Sequence, residues 1–351
     1  MKANSTKSIT RWTRSHFPWR TLLVLLILAL YGFAFKEVDI RDVISALRKW
    51  AMTDILLLVL VNVLVLSAMC LRLWMILQRC GHMVSLGRLA VYRIAANAIS
   101  IITPGPHFGG EPFQIHMLIR RHRLPIEHAA ASVVTDRAIE MVANLGLLCA
   151  GGLYLYHLSV LGNGLHIQIF TILLLILVSA CVFLKVVADG RAPLSLFFRQ
   201  VCAVFKHKPL RSSWGASLAT GEKKVGEILK QPLPILLLYG GCAVIQWLLM
   251  AVEFWLIYAV IGTPLEPGEL VAVVVAARIA FLLPLPGALG VLEASQVLIL
   301  GSLNLPPIAG IAACMVMRAR DLLMVTAGVG LSSFWLGVGW PLKNKLNVLD
   351  S

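Results

Sequence analysis

Six long apolar runs are the feature that most constrains how this chain of 351 residues can fold. A run of about 20 apolar residues is what an α-helix needs to cross the roughly 30 Å hydrocarbon core of a bilayer. Only 14% of the residues are charged, whereas soluble domains carry about 25%. We therefore predict an all-α polytopic membrane protein and exclude a soluble enzyme. The runs comprise residues 22–35, 55–71, 141–156, 167–187, 233–261 and 322–340.

The distribution of Lys and Arg predicts the orientation of these spans. The chain has 31 basic and 17 acidic residues, a net charge of +14, and basic residues concentrate in cytoplasmic loops. The cytoplasmic segments are then a basic N-terminus (1–20), the stretch from Arg72 to Arg88, a basic loop (189–231) and a tail (341–351). A single transmembrane domain occupies residues 21–340. We assign the positive charge to anionic headgroups of the inner leaflet and not to nucleic acid.

Two segments between the predicted spans are interrupted by Pro and Gly. Residues 89–119 contain the sequence PGPHFGGE, and residues 270–304 contain PLPGALGVLE. Unpaired backbone groups are tolerated at membrane depth only inside protein or beside a wet cavity. We therefore predict two re-entrant hairpins in addition to about six spanning helices. The residues expected to shape and gate the hairpins are Pro104, Pro106, Gly109, Gly110, Pro284, Pro286, Gly287 and Gly290.

The two hairpins begin a shared pattern, in which a glutamate is followed by an arginine within the next apolar run. Glu111 precedes Arg137 by 26 residues, and Glu293 precedes Arg318 by 25. The charge distribution gives the two units opposite orientations, so we predict an inverted repeat. Such repeats place the substrate of secondary transporters near the bilayer midplane. The predicted units comprise residues 55–157 and 233–340.

Arg137 and Arg318 are predicted to lie near the centre of the membrane. An arginine at this depth costs about 2.5–3.5 kcal/mol on insertion scales, so it needs a partner or a wet cavity. A planar guanidinium is suited to bidentate binding of phosphate or carboxylate. We therefore predict that both arginines bind substrate.

Acidic neighbours of these arginines leave a structural alternative open. Each arginine could form only an ion pair between helices, and each hairpin glutamate could accept hydrogen bonds from loop N–H groups instead of contacting a substrate. A structural ion pair is also predicted between Glu253 and Arg278. The acidic neighbours are Asp136, Glu140 and Glu111 for Arg137, and Asp321 and Glu293 for Arg318.

Motifs for enzymatic chemistry are missing from the sequence. The histidines show no HExxH spacing, which argues against a metal site. No Walker A, GxGxxG or GxSxG sequence occurs, which argues against a nucleotide cofactor and against a serine nucleophile. We predict no cofactor, no metal and no catalytic residue, and we favour a transporter over an enzyme.

The motifs together resemble a known family. Asn97, residues 104–111, the pair Arg120 and Arg121, residues 131–137 and residues 284–293 are similar to the lysylphosphatidylglycerol synthase transmembrane-region family. The resemblance covers residues 21–340. It implies a flippase-like domain of the bacterial inner (plasma) membrane that translocates an anionic or aminoacylated phospholipid.

The resemblance also adds Asn97 and Asp136 to the predicted substrate-binding residues. The chain has Gln114 where the family often has arginine, and Asp136 where it often has glutamate. No aminoacyl-transferring domain follows Trp340. We therefore expect a separate cytoplasmic enzyme to synthesise the lipid.

The leading hypothesis is a lipid flippase in which a headgroup passes through a midplane cavity between the two hairpins. Arg137 and Arg318 would hold the phosphate, while Glu111 and Glu293 would bind a cationic headgroup amine. One alternative is an integral-membrane enzyme that modifies a lipid or a polyprenyl-linked sugar, with Glu111 or Asp136 as the base. Another is a scaffold that docks a cytoplasmic enzyme through the basic loop at residues 191–230.

Overall fold

The computed structural model describes residues 50–102, 109–157, 165–193, 195–197, 208–283 and 285–336, together with residues 41, 45 and 48. Within this part of the chain the protein is all-helical and contains no strand, as predicted. The helices are α1 (Met52–Arg79), α2 (Leu86–Ile102), α3 (Glu111–His122), α4 (Ile126–His157), α5 (Leu165–Ala188), α6 (Lys208–Leu229), α7 (Leu233–Ile261), α8 (Pro267–Leu282), a 3-10 turn (Pro286–Ala288), α9 (Val291–Ser302) and α10 (Pro307–Leu336).

Four of these helices are long and apolar enough to cross a membrane: α1, α4, α5 and α7. α1 alone has 28 residues, which at 1.5 Å per residue gives about 42 Å. α10 has 30 residues, but its central stretch carries Arg318, Arg320 and Asp321, which lower its hydropathy. The predicted first span, residues 22–35, lies outside the described residues.

Large apolar side chains cover the outer faces of α1, α5 and α7. On α1, for example, Leu56 and Leu60 are more than half exposed. The charged side chains of the same helix bundle lie inside, and Arg72 is fully buried. An apolar exterior around a polar interior is the arrangement that a bilayer solvent requires.

The boundaries of α7 follow from local backbone chemistry. Pro232 precedes the first residue of the helix, where its missing N–H leaves no intrahelical bond unmade. Gly262 follows the last residue in the left-handed region at φ 98°, a conformation that glycine adopts without steric strain. The helix Leu233–Ile261 coincides with the apolar run predicted at these residues.

Both predicted hairpins are pairs of short helices. α2 and α3 have 17 and 12 residues, and α8 and α9 have 16 and 12. Each is shorter than the roughly 20 residues that a spanning helix needs. The 3-10 turn begins at Pro286, and Pro104, Pro106 and Pro284 lie outside the described residues.

Each hairpin packs against both α4 and α10, the long helices that carry Arg137 and Arg318. α3 packs on α4, the helix that follows it, whereas α2 packs on α10; likewise α9 packs on α10, whereas α8 packs on α4. Glycines allow two of these approaches. A Cβ at Gly328 of α10 would lie 2.9 Å from the carbonyl oxygen of Ile94, and one at Gly151 of α4 would lie 2.7 Å from Val275. Small residues permit such close helix packing in membranes.

The predicted basic loop, residues 189–231, contains helix α6. This helix packs against α4 and α5, and it buries Val225 and Ile228. A Cβ at Gly226 would lie 2.5 Å from the carbonyl oxygen of Val187. The basic segment therefore includes a helix that is fixed to the membrane-spanning bundle.

Candidate functional site

Arg137 and Arg318 occupy equivalent positions in α4 and α10. Each lies eleven residues after the first residue of its helix, which corresponds to about 17 Å of helix. Each also has an acidic residue three positions later. Arg137 Nη1 donates to Glu140 Oε2 at 3.1 Å, and Arg318 Nη1 lies 4.0 Å from Asp321 Oδ2.

Glu111 connects the first hairpin to α4. Its Oε2 accepts a hydrogen bond from the backbone N–H of Gly109 at 2.7 Å. Its Oε1 lies 2.8 Å from Arg137 Nε in an ion pair without hydrogen-bond geometry. Gly109 has φ 152°, a conformation that favours glycine. A Cβ at Gly110 would lie only 2.1 Å from the carbonyl oxygen of Ala96, so this glycine is needed for the contact between α2 and α3.

Glu293 makes the corresponding contacts in the second hairpin. Its Oε2 accepts a hydrogen bond from the backbone N–H of Gly290 at 2.9 Å, and its Oε1 accepts one from Arg318 Nε at 3.0 Å. Arg318 also donates to the carbonyl oxygens of Gly287 at 2.6 Å and Ala288 at 3.3 Å. The φ angles of Gly287 and Gly290 are 54° and 78°. The guanidinium therefore holds the turn between α8 and α9 in its bent conformation.

The structural alternative considered for the hairpin residues is thus observed in both hairpins. Glu111 and Glu293 each bind a loop N–H group and the arginine of the following long helix. The predicted roles of Glu111, Glu293, Arg137 and Arg318 in substrate binding stay predictions. These contacts show how the two motifs, 182 positions apart in the sequence, form the same local structure.

Asp136 lies at the centre of a buried charge network. Its Oδ1 accepts a hydrogen bond from Arg72 Nε at 2.6 Å, and its Oδ2 accepts one from Arg93 Nη1 at 2.7 Å. Arg72 and Arg93 also donate to Glu140 Oε2 at 2.8 and 3.2 Å. Because Asp136 is fully buried and both of its oxygens are paired, its immediate role is to join α1, α2 and α4.

The prediction that the stretch from Arg72 to Arg88 is cytoplasmic is wrong for Arg72. Its side chain lies within α1 at 0% exposure and pairs with Asp136 and Glu140. These partners follow 64 and 68 residues later in the sequence, so the charge count alone treated Arg72 as a loop residue. The other basic residues of that stretch are Arg79, the last residue of α1, and Arg88, in the first turn of α2.

A cavity of about 230 Å³ lies between α1, α2, α4, α7, α8 and α10. Of the predicted substrate-binding residues, Arg137 and Asn97 line it. Glu111, Asp136 and Glu293 are not among its lining residues in the described part of the chain, and neither is Arg318. The polar lining residues are Asn62, Asn97, Arg137, Glu140, Asn144, Gln246, Glu253, Arg278, Arg320 and Asp321.

Arg320 is a lining residue that the sequence analysis did not select. It donates through Nη1 to Glu253 Oε1 and through Nη2 to Asp321 Oδ1 at 2.7 Å. Asn62 donates to the same Glu253 oxygen at 3.1 Å. Two positions along a helix correspond to a rotation of about 200°, so Arg320 faces the cavity while Arg318 faces the turn. Helical spacing within the charged part of α10 was the signal that could have identified it.

The predicted ion pair between Glu253 and Arg278 is wrong, because Arg320 pairs with Glu253 instead. The Arg278 guanidinium carbon lies 4.4 Å from the ring centroid of Trp247 and 5.9 Å from that of Phe281. These distances are within the range of cation–π interactions, about 6 Å. Within the described residues Arg278 forms no ion pair with a carboxylate.

Amide side chains complete the polar lining. Gln246 of α7 donates to Glu140 Oε1 at 3.1 Å and accepts a hydrogen bond from Arg72 Nη1 at 3.2 Å. Asn144 Oδ1 is buried without a hydrogen-bond partner in the described part of the structure. No group of three His, Cys, Asp or Glu side chains suited to a metal ion occurs among the described residues.

The fold and the site define a class: helical membrane proteins with a charged internal cavity bordered by two broken hairpins. The profile of the family described as "Lysylphosphatidylglycerol synthase TM region" matches residues 20–328, and the chain belongs to this family. A protein described as "UPF0104 membrane protein" from Methanothermobacter thermautotrophicus (strain Delta H) is 25% identical over 344 residues, covering 92% of this chain and 98% of that protein. No solved structure matches the chain.

Proposed function

We propose that this protein translocates a phospholipid across the inner membrane by passing its headgroup through the central cavity. The observation that carries the proposal is the position of the cavity. Among the described residues, six charged side chains line it, and it lies within a bundle whose outer helix faces are apolar. Charged groups at membrane depth are retained where they serve a substrate or ion pathway.

The size of the cavity supports a headgroup as its occupant. Its volume of about 230 Å³ is below the roughly 300–1,000 Å³ of sites that enclose a drug-sized ligand. A whole phospholipid does not fit in this space. The acyl chains would remain in the bilayer while the polar headgroup enters.

We further propose that the two hairpins form an inverted repeat that opens the cavity alternately to the two leaflets. The exchanged packing of α2 on α10 and α8 on α4 supports this arrangement. It couples each hairpin to the long helix of the other unit. The N- and C-termini would both be cytoplasmic, and repeats of this kind allow alternating access around a central site.

The arginines would serve two different steps. Arg137 lines the cavity and would attract the headgroup phosphate as the headgroup enters. Arg318 donates to two carbonyl oxygens of the turn and to Glu293. It would therefore bind a headgroup only after releasing the turn, and we propose that this release is a gating step. The pair between Arg137 and Glu111 would gate the first hairpin.

The proposal assigns transport, not lipid synthesis, to this chain. The lipid cargo would be made by a separate cytoplasmic enzyme. Incubation of the purified protein with lipid and an activated donor is expected to give no modified lipid. Product formation that depends on Glu111 would favour the enzyme hypothesis instead.

Proteoliposomes with fluorescent phospholipids test the transport proposal. Dithionite quenches only the outer leaflet unless lipids exchange, so active protein is expected to raise quenching beyond the outer-leaflet fraction. Arg137→Gln should abolish this excess, whereas Lys223→Gln, which removes a charge from an exposed site on α6, should retain it. The proposal is rejected if folded wild-type protein gives no excess quenching for any headgroup.

A further inference from the structure

The charges in and around the cavity are balanced. Within the described residues, six arginines and six carboxylates form the network, and the cavity surface itself has three of each. A charge that enters a buried site without a counter-ion carries a large desolvation penalty. A balanced cavity therefore favours an occupant with no net charge. The arginines are Arg72, Arg93, Arg137, Arg278, Arg318 and Arg320, and the carboxylates are Glu111, Asp136, Glu140, Glu253, Glu293 and Asp321.

Not every one of these charges has a partner of opposite charge. Arg278 is the arginine of this set that forms no ion pair with a carboxylate within the described residues. Within the described residues its Nη2 donates to the Met250 sulfur at 2.6 Å, and a thioether is a weak acceptor. Its Nε is buried and has no hydrogen-bond partner in the part of the chain that the structure describes. The other five arginines each contact at least one carboxylate. Arg278 therefore retains donors for an anion that enters the cavity.

Aromatic contacts hold this guanidinium in place. Stacking against Trp247 and Phe281 at 4.4 and 5.9 Å from the ring centroids stabilises the cation without using its N–H groups. The in-plane donors of an arginine match the oxygens of a phosphate in bidentate geometry. The stacked arginine is therefore a preorganised anion subsite.

The residues that line the cavity also include acceptor oxygens that receive no hydrogen bond within the described residues. Glu253 accepts both of its hydrogen bonds through Oε1, and Asp321 accepts both of its bonds from Arg320 through Oδ1. Within the described residues their second oxygens accept no hydrogen bond, although Asp321 Oδ2 lies 4.0 Å from Arg318 Nη1. Asn144 Oδ1 is a third acceptor without a partner. A primary ammonium, which has three N–H donors, matches these acceptors.

We propose that the cavity selects a zwitterionic headgroup of the phosphoethanolamine type, with its phosphate on Arg278 and its ammonium on the Glu253 and Asp321 carboxylates. This inference rests on the proposed lipid transport and names the cargo class of that same site. A headgroup with net charge, negative or positive, unbalances the cavity. Phosphatidylglycerol and lysylphosphatidylglycerol therefore bind more weakly than phosphatidylethanolamine.

Binding is tested by native mass spectrometry of the purified protein with equimolar phosphatidylethanolamine, phosphatidylglycerol and lysylphosphatidylglycerol. The wild type is expected to prefer phosphatidylethanolamine by about tenfold or more, because each rival places an unpaired charge in a buried site. Equal binding of the three lipids would overturn the inference. Free phosphoethanolamine, added as a competitor, tests whether the site binds a lipid headgroup or a soluble zwitterion. Displacement of the lipid by an equal concentration of free phosphoethanolamine would mean that the cavity binds the soluble compound.

Two charge-changing variants give opposite expected shifts. Arg278→Gln makes the cavity net negative, so its preference should move at least tenfold toward cationic lysylphosphatidylglycerol. Glu253→Gln makes it net positive, so its preference should move toward anionic phosphatidylglycerol. Lys223→Gln removes an exposed charge on α6 and is the matched control. If both cavity variants lose all lipids equally while eluting as folded protein, the charge-balance argument is wrong.

The same proteins in the dithionite assay separate this inference from the transport proposal. Selective binding of phosphatidylethanolamine without its translocation would refute transport and retain the assigned cargo chemistry. Translocation without headgroup preference, unaffected by Arg278→Gln, would retain transport and refute the inference. Arg278→Lys keeps the charge but not the planar fork, so it should retain the selectivity for net charge and bind more weakly.

Discussion

Replacing Asp136 with asparagine removes a fully buried carboxylate that contacts both Arg72 and Arg93. The change keeps the shape of the side chain and removes its charge. Within the described residues, Glu140 is then the one carboxylate left to pair with Arg72 and Arg93. Loss of one partner from a buried ion pair typically costs about 3–5 kcal/mol. We expect a loss of stability in this range.

The assay is thermal unfolding of the detergent-purified protein. Unfolding is measured as the decrease in the fraction that stays monodisperse after heating. Asp189→Asn is the matched control, since it makes the same chemical change at an exposed turn residue and should alter stability by less than about 0.5 kcal/mol. Arg93→Gln combined with Asp136→Asn restores the charge balance. The double variant should therefore be less destabilised than the sum of the single changes by about 1 kcal/mol or more.

The result that would refute this reasoning is specific. If Asp136→Asn unfolds at the same temperature as Asp189→Asn, the buried carboxylate does not stabilise the packing of α1, α2 and α4. If the two single changes add without coupling, the contact between Asp136 and Arg93 at 2.7 Å has no energetic role. Either outcome would remove the assigned structural role of Asp136.

Three further changes test other contacts. Gly110→Ala should destabilise the protein by about 3 kcal/mol, because its Cβ would meet the Ala96 carbonyl oxygen at 2.1 Å and overpacking costs about 1–3 kcal/mol; unchanged thermal stability would contradict this. Arg318→Gln should increase protease cleavage at the turn after α8, and unchanged cleavage would contradict its role there. Burial and the neighbouring His128 lower the pKa of His82 below its usual 6.5, so the unfolded chain binds more protons and stability should fall as pH drops through about 6.5. His82→Gln should reduce this dependence, and an unaltered pH profile of unfolding would contradict it.

The sequence was sufficient to predict features that depend on local chemistry. The limits of α7 coincide with those of the apolar run predicted at residues 233–261. The similar spacing of glutamate and arginine in the two motifs, 26 and 25 residues, indicated two corresponding local structures, and the ion pairs that the sequence left open as an alternative are present between Glu293 and Arg318 and between Glu111 and Arg137. In both cases residues near in sequence, or repeated in pattern, carried the information.

The partners of the remaining buried arginines could not be predicted in the same way. Arg72 is 64 residues from Asp136, and Arg320 is 67 residues from Glu253. Such pairs depend on how α1, α4, α7 and α10 pack, which hydropathy and charge counts do not specify. The stacking of Arg278 on Trp247 also escaped prediction, because an acidic residue was assumed to be its partner.

Blocking the cavity tests the central claim most directly. Asn144→Trp places an indole at a position that lines the cavity, whereas Leu56→Trp introduces the same group on the outer face of α1, where leucine is 61% exposed. In phosphatidylethanolamine-containing proteoliposomes, Asn144→Trp should reduce dithionite-accessible exchange to the protein-free level, and Leu56→Trp should retain wild-type exchange. Full exchange by folded Asn144→Trp protein would show that lipid headgroups do not pass through this cavity.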